Sequence, residues 1–433
     1  MARLAPAPIP AATPAATSGS TPDLTRKHLS RLQEHQSERD CERLSRKLRK
    51  RPLVLFFGRT TFSDNSKYLY LRALASARGY DVLWCTTSPA LAADLTARGL
   101  PCLAIDASCD VTIDTFLHAA VAVFTINPFE SVGLSLSLLG CLAGAQQVQL
   151  WHGVSVKRLN LQLLPYLGAR GADIRQYWMA NCAADHVLST SSRLDGYWRE
   201  VFGCRSLLRA GMPRNEVIMR AAADNEWLGA ELPARSIQAL QGQAPAVLIV
   251  PTWQRGKSTP LTETEFLAHA LQFARRNGAE VFFKAHPAYF DGWSQGEGEI
   301  EGLHLIDPGV DIYPWLHRFD ALVTDYSSIM FDYLLTGRPV LTLELHEGGH
   351  QRYEPDFSLV PPGEFRVPFQ VEDFSQTLID VLSSDRARDA RLGYASQLFE
   401  TDPSRASDTL LQVVDRLVEQ SQAADFVVWN AAA

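Results

Sequence analysis

Ala321-Leu322-Val323-Thr324-Asp325-Tyr326-Ser327-Ser328-Ile329-Met330-Phe331-Asp332-Tyr333 is an apolar run, a polar turn and a second apolar run. The first four residues are apolar or β-branched, the composition of a strand buried on both faces, which means a parallel sheet covered by helices. From Ser327 to 336 the spacing is helical, and Ser327 or Ser328 is a natural N-cap. The same alternation extends outward in both directions. Strands are expected at 246–250, 280–284, 303–306 and 340–343, with helices at 263–277 and 312–317. In the first half, strands are expected at 53–58, 81–85, 103–105, 121–125, 147–151 and 184–190. Helices are expected between them at 67–77, 90–98, 131–142 and 191–201. The chain therefore reads as two successive open α/β units of similar size, joined by a connector at 217–245.

Composition agrees with two packed units. The chain has 433 residues, 46% hydrophobic and 21% charged, room for two or three domains at about 150 residues each. Its net charge of −7 excludes a surface built throughout to hold nucleic acid, and no nucleic-acid partner is expected. Seven cysteines show no CxxC or Cys/His ligand spacing, which points to a reducing compartment without a disulfide framework or zinc site. The longest apolar run, 132–145, is shorter than the roughly 20 residues that span a bilayer, and reads as a buried helix. Residues 1–22 are rich in Ala, Pro, Ser and Thr and read as a disordered tail without the apolar core of a secretory signal. Residues 23–51 hold ten Lys or Arg against five acids, a local charge of +5, with no Pro or Gly. That is a basic helical segment. It serves either as a solvated, salt-bridged lead-in or, through Leu44 to Arg51, as a contact to an anionic membrane surface.

In open parallel sheets, ligands bind beyond the carboxyl ends of the strands. Five polar segments lie at such ends: 58–61, His152-Gly153, Pro251-Thr252-Trp253, His286-Pro287 and Asp325-Tyr326-Ser327-Ser328. His152 is either a structural hydrogen-bonding group or a proton carrier, since imidazole titrates near neutrality; Lys157 and Arg158 follow it. His286 offers the same two readings, with Pro287 confining it to extended backbone. Ser327 and Ser328 either cap a helix or help its N-terminus bind phosphate. Arg255 and Lys257 lie in a Gly-containing loop that is either solvated or anion-binding. Neither GxGxxG nor GxxxxGK[ST] occurs, which argues against a P-loop nucleotide triphosphatase.

Six segments, in order, resemble motifs of the CDP-glycerol glycerophosphotransferase family, the teichoic-acid primases and polymerases and their capsule relatives. They are Asp64-Asn65-Ser66-Lys67-Tyr68; Trp151-His152-Gly153 with Lys157; Gly211-Met212-Pro213-Arg214-Asn215; Pro251-Thr252-Trp253; Lys284-Ala285-His286-Pro287; and Thr324-Asp325-Tyr326-Ser327-Ser328 with Phe331-Asp332-Tyr333. The resemblance covers roughly 53–365. Departures occur at Val154-Ser155, at Gln254 and after 343. The resemblance implies an α/β, GT-B-like fold: two Rossmann-like domains facing across a cleft, here preceded by the basic helical segment. The expected divisions are an acceptor-side domain at 52–216, a CDP-donor domain at 246–400 and a helical segment at 401–433.

It further implies transfer of glycerol phosphate from CDP-glycerol to a hydroxyl of a lipid-linked glycan or poly(alditol phosphate) acceptor, with release of CMP. His152 would take the proton of the attacking hydroxyl and His286 would donate to the departing diphosphate. Ser327, Ser328, Asp325, Thr252, Arg255, Lys157 and Glu344 would form the donor side, Glu344 by its position past a strand end. No paired-ligand spacing lies near the motifs, so no metal and no cofactor are expected. The expected location is cytoplasmic, peripheral at the inner face of the cell membrane. Rival readings are a CDP-ribitol transferase, a GT-B glycosyltransferase using a nucleotide sugar, and a silent scaffold of a polysaccharide assembly complex.

Overall fold

The computed structural model of the chain describes residues 21–58, 60–155, 157–164, 172–252, 259–284, 302–325, 327–344 and 363–430. The first sheet contains β1 (Leu53–Phe57), β2 (Asp81–Thr86), β3 (Cys102–Ala104), β4 (Val121–Phe124), β5 (Gln146–Gln149), β6 (His186–Ser189) and β7 (Ser206–Arg209). Its order is β3-β2-β1-β4-β5-β6-β7, and every pairing is parallel. The second contains β8 (Ala246–Val250), β9 (Glu280–Lys284), β10 (Leu303–Ile306), β11 (Ala321–Thr324), β12 (Val340–Leu343) and β13 (Val367–Phe369). Its order, β10-β9-β8-β11-β12-β13, repeats that plan, again all parallel. The central strands β4, β11 and β12 are buried along their whole length, as their apolar sequence requires. The two-domain α/β expectation holds.

Several elements differ from the sequence expectation for local reasons. The helix expected at 131–142 divides into Pro128–Ser131 and Leu136–Leu142, because Gly133 and Leu134 both take positive φ, 71° and 61°. Two strands escaped the reading, β7 and β13. Each is short and lies at a sheet edge, where half-exposed residues break the apolar pattern. The helix Asp110–His118 also escaped it. Its Val, Thr and Ile are weak helix formers, and burial of Thr112, Phe116 and Leu117 holds it instead.

The basic helix runs from Thr21 to Ser45 and then turns, so it ends before 51. It lies against the helix Leu136–Leu142, where glycine permits backbone contact. A Cβ on Gly140 would sit 2.4 Å from the Glu38 carbonyl oxygen, and one on Gly144 2.4 Å from that of Ser45. The Ser45 hydroxyl donates to the Cys141 carbonyl at 2.5 Å and accepts from the Gly144 amide at 3.0 Å. Lys50 is buried, its ammonium donating to the Leu117 carbonyl at 2.6 Å, and Leu48 packs against the first domain's core. Two residues of the expected membrane contact therefore face inward. The C-terminal helix Ala406–Asn430 returns to the first domain, with Asp408 accepting from Arg72 at 2.7 Å.

The domains meet along a buried polar seam. Lys67, fully buried on the helix Asp64–Leu74, donates to Asp311 of the second domain at 2.9 Å and to the Glu226 carbonyl at 2.7 Å. Tyr68 donates its hydroxyl to the same Asp311 oxygen at 2.7 Å. The Asp311 amide donates to the Gly229 carbonyl of the connector at 2.6 Å.

Candidate functional site

Each sheet reverses its strand order once, between β1 and β4 and between β8 and β11. A ligand crevice is expected outside the carboxyl ends at these points. In the first domain that rim is the turn after β4, at Thr125, and the turn after β5, which carries Trp151, His152 and Gly153. Trp151 takes φ +55°, unusual for a large side chain, and Gly153 takes φ +126°. The Trp151 carbonyl accepts from Asn65 Nδ2 at 2.7 Å and Thr125 Oγ1 at 3.0 Å, while its amide donates to Gln149 Oε1 at 2.9 Å. The buried indole meets Phe202 edge-on at 5.2 Å and the His152 ring at 4.2 Å.

This anchored backbone sets the direction of His152, which is half-buried. Its Nδ1 lies 3.3 Å from the Thr125 carbonyl oxygen. Donation from Nδ1–H to that oxygen would leave Nε2 as the basic nitrogen, the arrangement a general base needs. Lys157 follows in the same loop, its amide donating to Ser155 Oγ at 3.2 Å and its carbonyl accepting from the Tyr197 hydroxyl at 2.6 Å. Burial pushes its ammonium down to about 8, and the Asp325 carboxylate of the second domain opposes that shift.

On the second domain, Asp325 and Thr252 close the reversal point between β8 and β11. Asp325 Oδ1 accepts from the Thr252 amide at 2.9 Å and from its hydroxyl. The pair ties two strand ends together. Ser328 precedes the helix Ile329–Tyr333 without using its hydroxyl as a cap, and Ser327 and Ser328 are both half-buried. Glu344 is exposed just past β12 and accepts from Gln370 at 3.3 Å. His286 and Arg255 lie outside the described residues. Among the described residues, no three His, Cys, Asp or Glu side chains are grouped as a metal site.

The two rims touch. A Cβ on Gly153 would sit 3.0 Å from Ser328 Oγ and 2.7 Å from Arg214 Nη2. Arg214 thus enters the site as a residue to which the sequence assigned no role. Its guanidinium is buried and donates to Asp64 at 2.8 Å, Asp332 at 2.6 Å and the His152 carbonyl at 3.0 Å. It lies 4.3 Å from the Tyr313 ring centroid. Burial works against its charge, but Tyr313, Asp332 and Asp64 outweigh burial and push its pKa up. Asp332 is completed by Asn215 Nδ2 at 3.0 Å and the Tyr313 hydroxyl at 2.7 Å. Asp64, Asn65, Arg214, Asn215 and Asp332 all belong to motif segments, which was the signal available for them.

A family model described as CDP-glycerol:poly(glycerophosphate) glycerophosphotransferase matches residues 41–416. Among curated relatives, the chain is 23% identical over 238 residues to a teichoic acid glycerol-phosphate primase of Bacillus spizizenii, covering 52% of this chain and 58% of that protein. It is 23% identical over 201 residues to a teichoic acid poly(glycerol phosphate) polymerase of Staphylococcus epidermidis, covering 44% of this chain and 27% of that protein. The chain thus spans little more than half of one relative and about a quarter of the other. Among solved structures, the wall teichoic acid polymerase TagF superposes with a TM-score of 0.64 at 17% identity, covering 94% of this chain and 99% of that one. A structure of S. aureus MnaA with UDP superposes at 0.54 with 11% identity, covering 86% and 97%. These superpositions establish a GT-B-like fold and leave the chemistry to the site.

Proposed function

The chain belongs to the CDP-glycerol:poly(glycerophosphate) glycerophosphotransferase family, and from that membership we propose that it transfers glycerol phosphate from CDP-glycerol to an acceptor hydroxyl. The acceptor oxygen attacks the β-phosphorus, and the bond from that phosphorus to the bridging oxygen breaks. CMP leaves with the electron pair. His152 Nε2 takes the proton of the attacking hydroxyl, and His286 donates to the departing phosphate. Ser327 and Ser328 hold the diphosphate, with Lys157 and Arg255 offsetting its charge and Glu344 meeting the ribose. Phosphoryl transfer of this kind depends mainly on positioning and charge stabilisation. The observation that carries the reading is the approach of the His152 turn to the Ser327–Ser328 turn across the seam.

The family's description and the teichoic-acid names of the relatives support an acceptor that is a lipid-linked glycan or a poly(alditol phosphate). Among the described residues, no helix is long and apolar enough to cross a membrane. We place the contact to an anionic bilayer on the outer face of the N-terminal basic helix. CDP-ribitol is the second donor to consider, because a teichoic acid ribitol-phosphate polymerase of Staphylococcus aureus is 22% identical over 229 residues, half of this chain.

The test is CMP release from CDP-glycerol, CDP-ribitol and a nucleotide sugar, with and without a lipid-linked glycan, in EDTA and in Mg²⁺. CDP-glycerol should be turned over in EDTA, and His152→Ala should lower turnover at least about 10²-fold, the low end for general-base help. Preference for CDP-ribitol or a nucleotide sugar would replace the donor. Turnover restored only by Mg²⁺ would overturn the metal-free reading. Silence with every donor would leave a scaffold.

A further inference from the structure

Arg214 bonds to both halves of the candidate site. Through Nη2 it reaches the carbonyl of His152 in the first domain and Asp332 in the second. Through Nη1 it reaches Asp64, at the start of the helix that also supplies Asn65 to the Trp151 carbonyl. Asp332 belongs to the helix Ile329–Tyr333 that begins directly after Ser328. We infer that Arg214 is a positioning residue: it fixes the separation between the His152 imidazole and the Ser327–Ser328 turn. The inference rests on the proposed roles of those residues.

Three physical points support it. First, a guanidinium is a rigid planar fork that can direct N–H groups to two carboxylates and a carbonyl at once. A lysine ammonium cannot reproduce that geometry. Second, Trp151, directly before His152, is held at φ +55°, a conformation a large side chain does not choose by itself, while Gly153 takes the φ of +126° that glycine permits. The His152 carbonyl between them is restrained by Arg214, so loss of that bond frees the turn to relax. Third, clearance is minimal: Gly153 admits no Cβ because Arg214 Nη2 and Ser328 Oγ already occupy the space. A shift of the guanidinium therefore changes the distance between the two turns directly. Buried ion pairs are weak evidence for stability, and a role in fixing geometry is the better account of one at this seam.

The consequence is a selective kinetic defect. In Arg214→Lys, transfer kcat should fall about 10²-fold, the effect expected of a misplacement near 1 Å. CMP, held by the second domain, should bind within about threefold of wild type by calorimetry. A purely structural role would scale activity and binding together, through the folded fraction. A double-mutant cycle separates the two accounts. If Arg214 acts by placing His152, Arg214→Lys in the His152→Ala background should cost less than about threefold, because coupled groups are not additive. Should Arg214→Lys fail to fold, Asp332→Asn takes its place in the same cycle. It keeps the shape and removes the charge that orients the fork. An equal fold-loss in both backgrounds, or wild-type kcat in Arg214→Lys or Asp332→Asn, would overturn the inference. Wild-type turnover in His152→Ala alone would instead remove the base on which it rests, so the two failures are distinguishable.

Discussion

Lys157 carries a charge in this cleft that responds to pH. Burial pushes its ammonium down to about 8 while Asp325 pulls the other way. A bound diphosphate favours the charged form, so donor binding should raise the pKa and take up a proton from about pH 8 upward. Affinity for CDP-glycerol should then fall as pH rises through 8, and Lys157→Arg should flatten that fall because guanidinium keeps its charge. Calorimetry in buffers of different ionisation heat measures the uptake directly. No uptake in that window would place Lys157 away from the diphosphate. For folding the sign is opposite in sense: the native state holds fewer protons than the unfolded chain between 8 and the model-peptide value of 10.5, so this group's contribution to stability rises with pH across that interval. His152, Ser327 and Ser328 were legible in the sequence because each stands just past a strand. The cluster around Arg214 was not, since its partners Asp64 and Asp332 lie 150 and 118 positions away and spacing carries no trace of such contacts.

At the scale of elements, apolar runs announced the central strands, because burial on both faces leaves no polar alternation to misread. Edge strands β7 and β13 and the helix Asp110–His118 lacked that signal, being held by neighbours rather than by their own pattern. The N-terminal helix shows how packing revises a charge-based reading. Its inner side is fixed by Gly140 and Gly144 and by Arg175, which pairs with Glu38 at 2.9 Å and with Glu42 at 2.5 Å. Lys50 faces inward, and Arg51 pairs with Asp114 at 2.8 Å. The outer side of the helix keeps Arg39 and Arg43 exposed, with Leu44 at 47% exposure, and the turn after it keeps Arg46, Lys47 and Arg49 exposed. Each basic group near an anionic bilayer contributes about 1 kcal/mol, enough for salt-sensitive attachment by several together. Replacing Arg46, Lys47 and Arg49 by Gln should abolish co-sedimentation with phosphatidylserine vesicles at low salt. The fold should stay intact, because all three are exposed and the ion pair lost, Arg46 with Glu42 at 3.2 Å, leaves Glu42 paired with Arg175. Undiminished sedimentation would show that this helix is a solvated brace for the helix Leu136–Leu142.

At the scale of the whole molecule, the sequence announces two units, and their docking depends on residues it leaves silent. Asp311 belongs to none of the motif segments, yet it receives Lys67 and Tyr68 from the first domain and the Tyr313 amide, at 3.2 Å, from its own. Its amide ties the connector through Gly229. The Lys67–Asp311 pair is fully enclosed, with side chains 0% and 1% exposed. Removing one partner therefore strands a charge without solvent, a change that costs about 3–5 kcal/mol. Because that loss falls at the junction, Asp311→Ala should do more than lower the midpoint of unfolding. It should weaken the coupling between domains, so that one calorimetric transition becomes two, one for each sheet. The double variant Lys67→Met with Asp311→Leu, which removes both charges and keeps the volume apolar, should recover much of the lost stability and restore a single transition. An Asp311→Ala protein that melts in one step at the wild-type temperature would show that the remaining contacts between the domains, the Arg214 network and the Arg72–Asp408 pair among them, suffice to couple them.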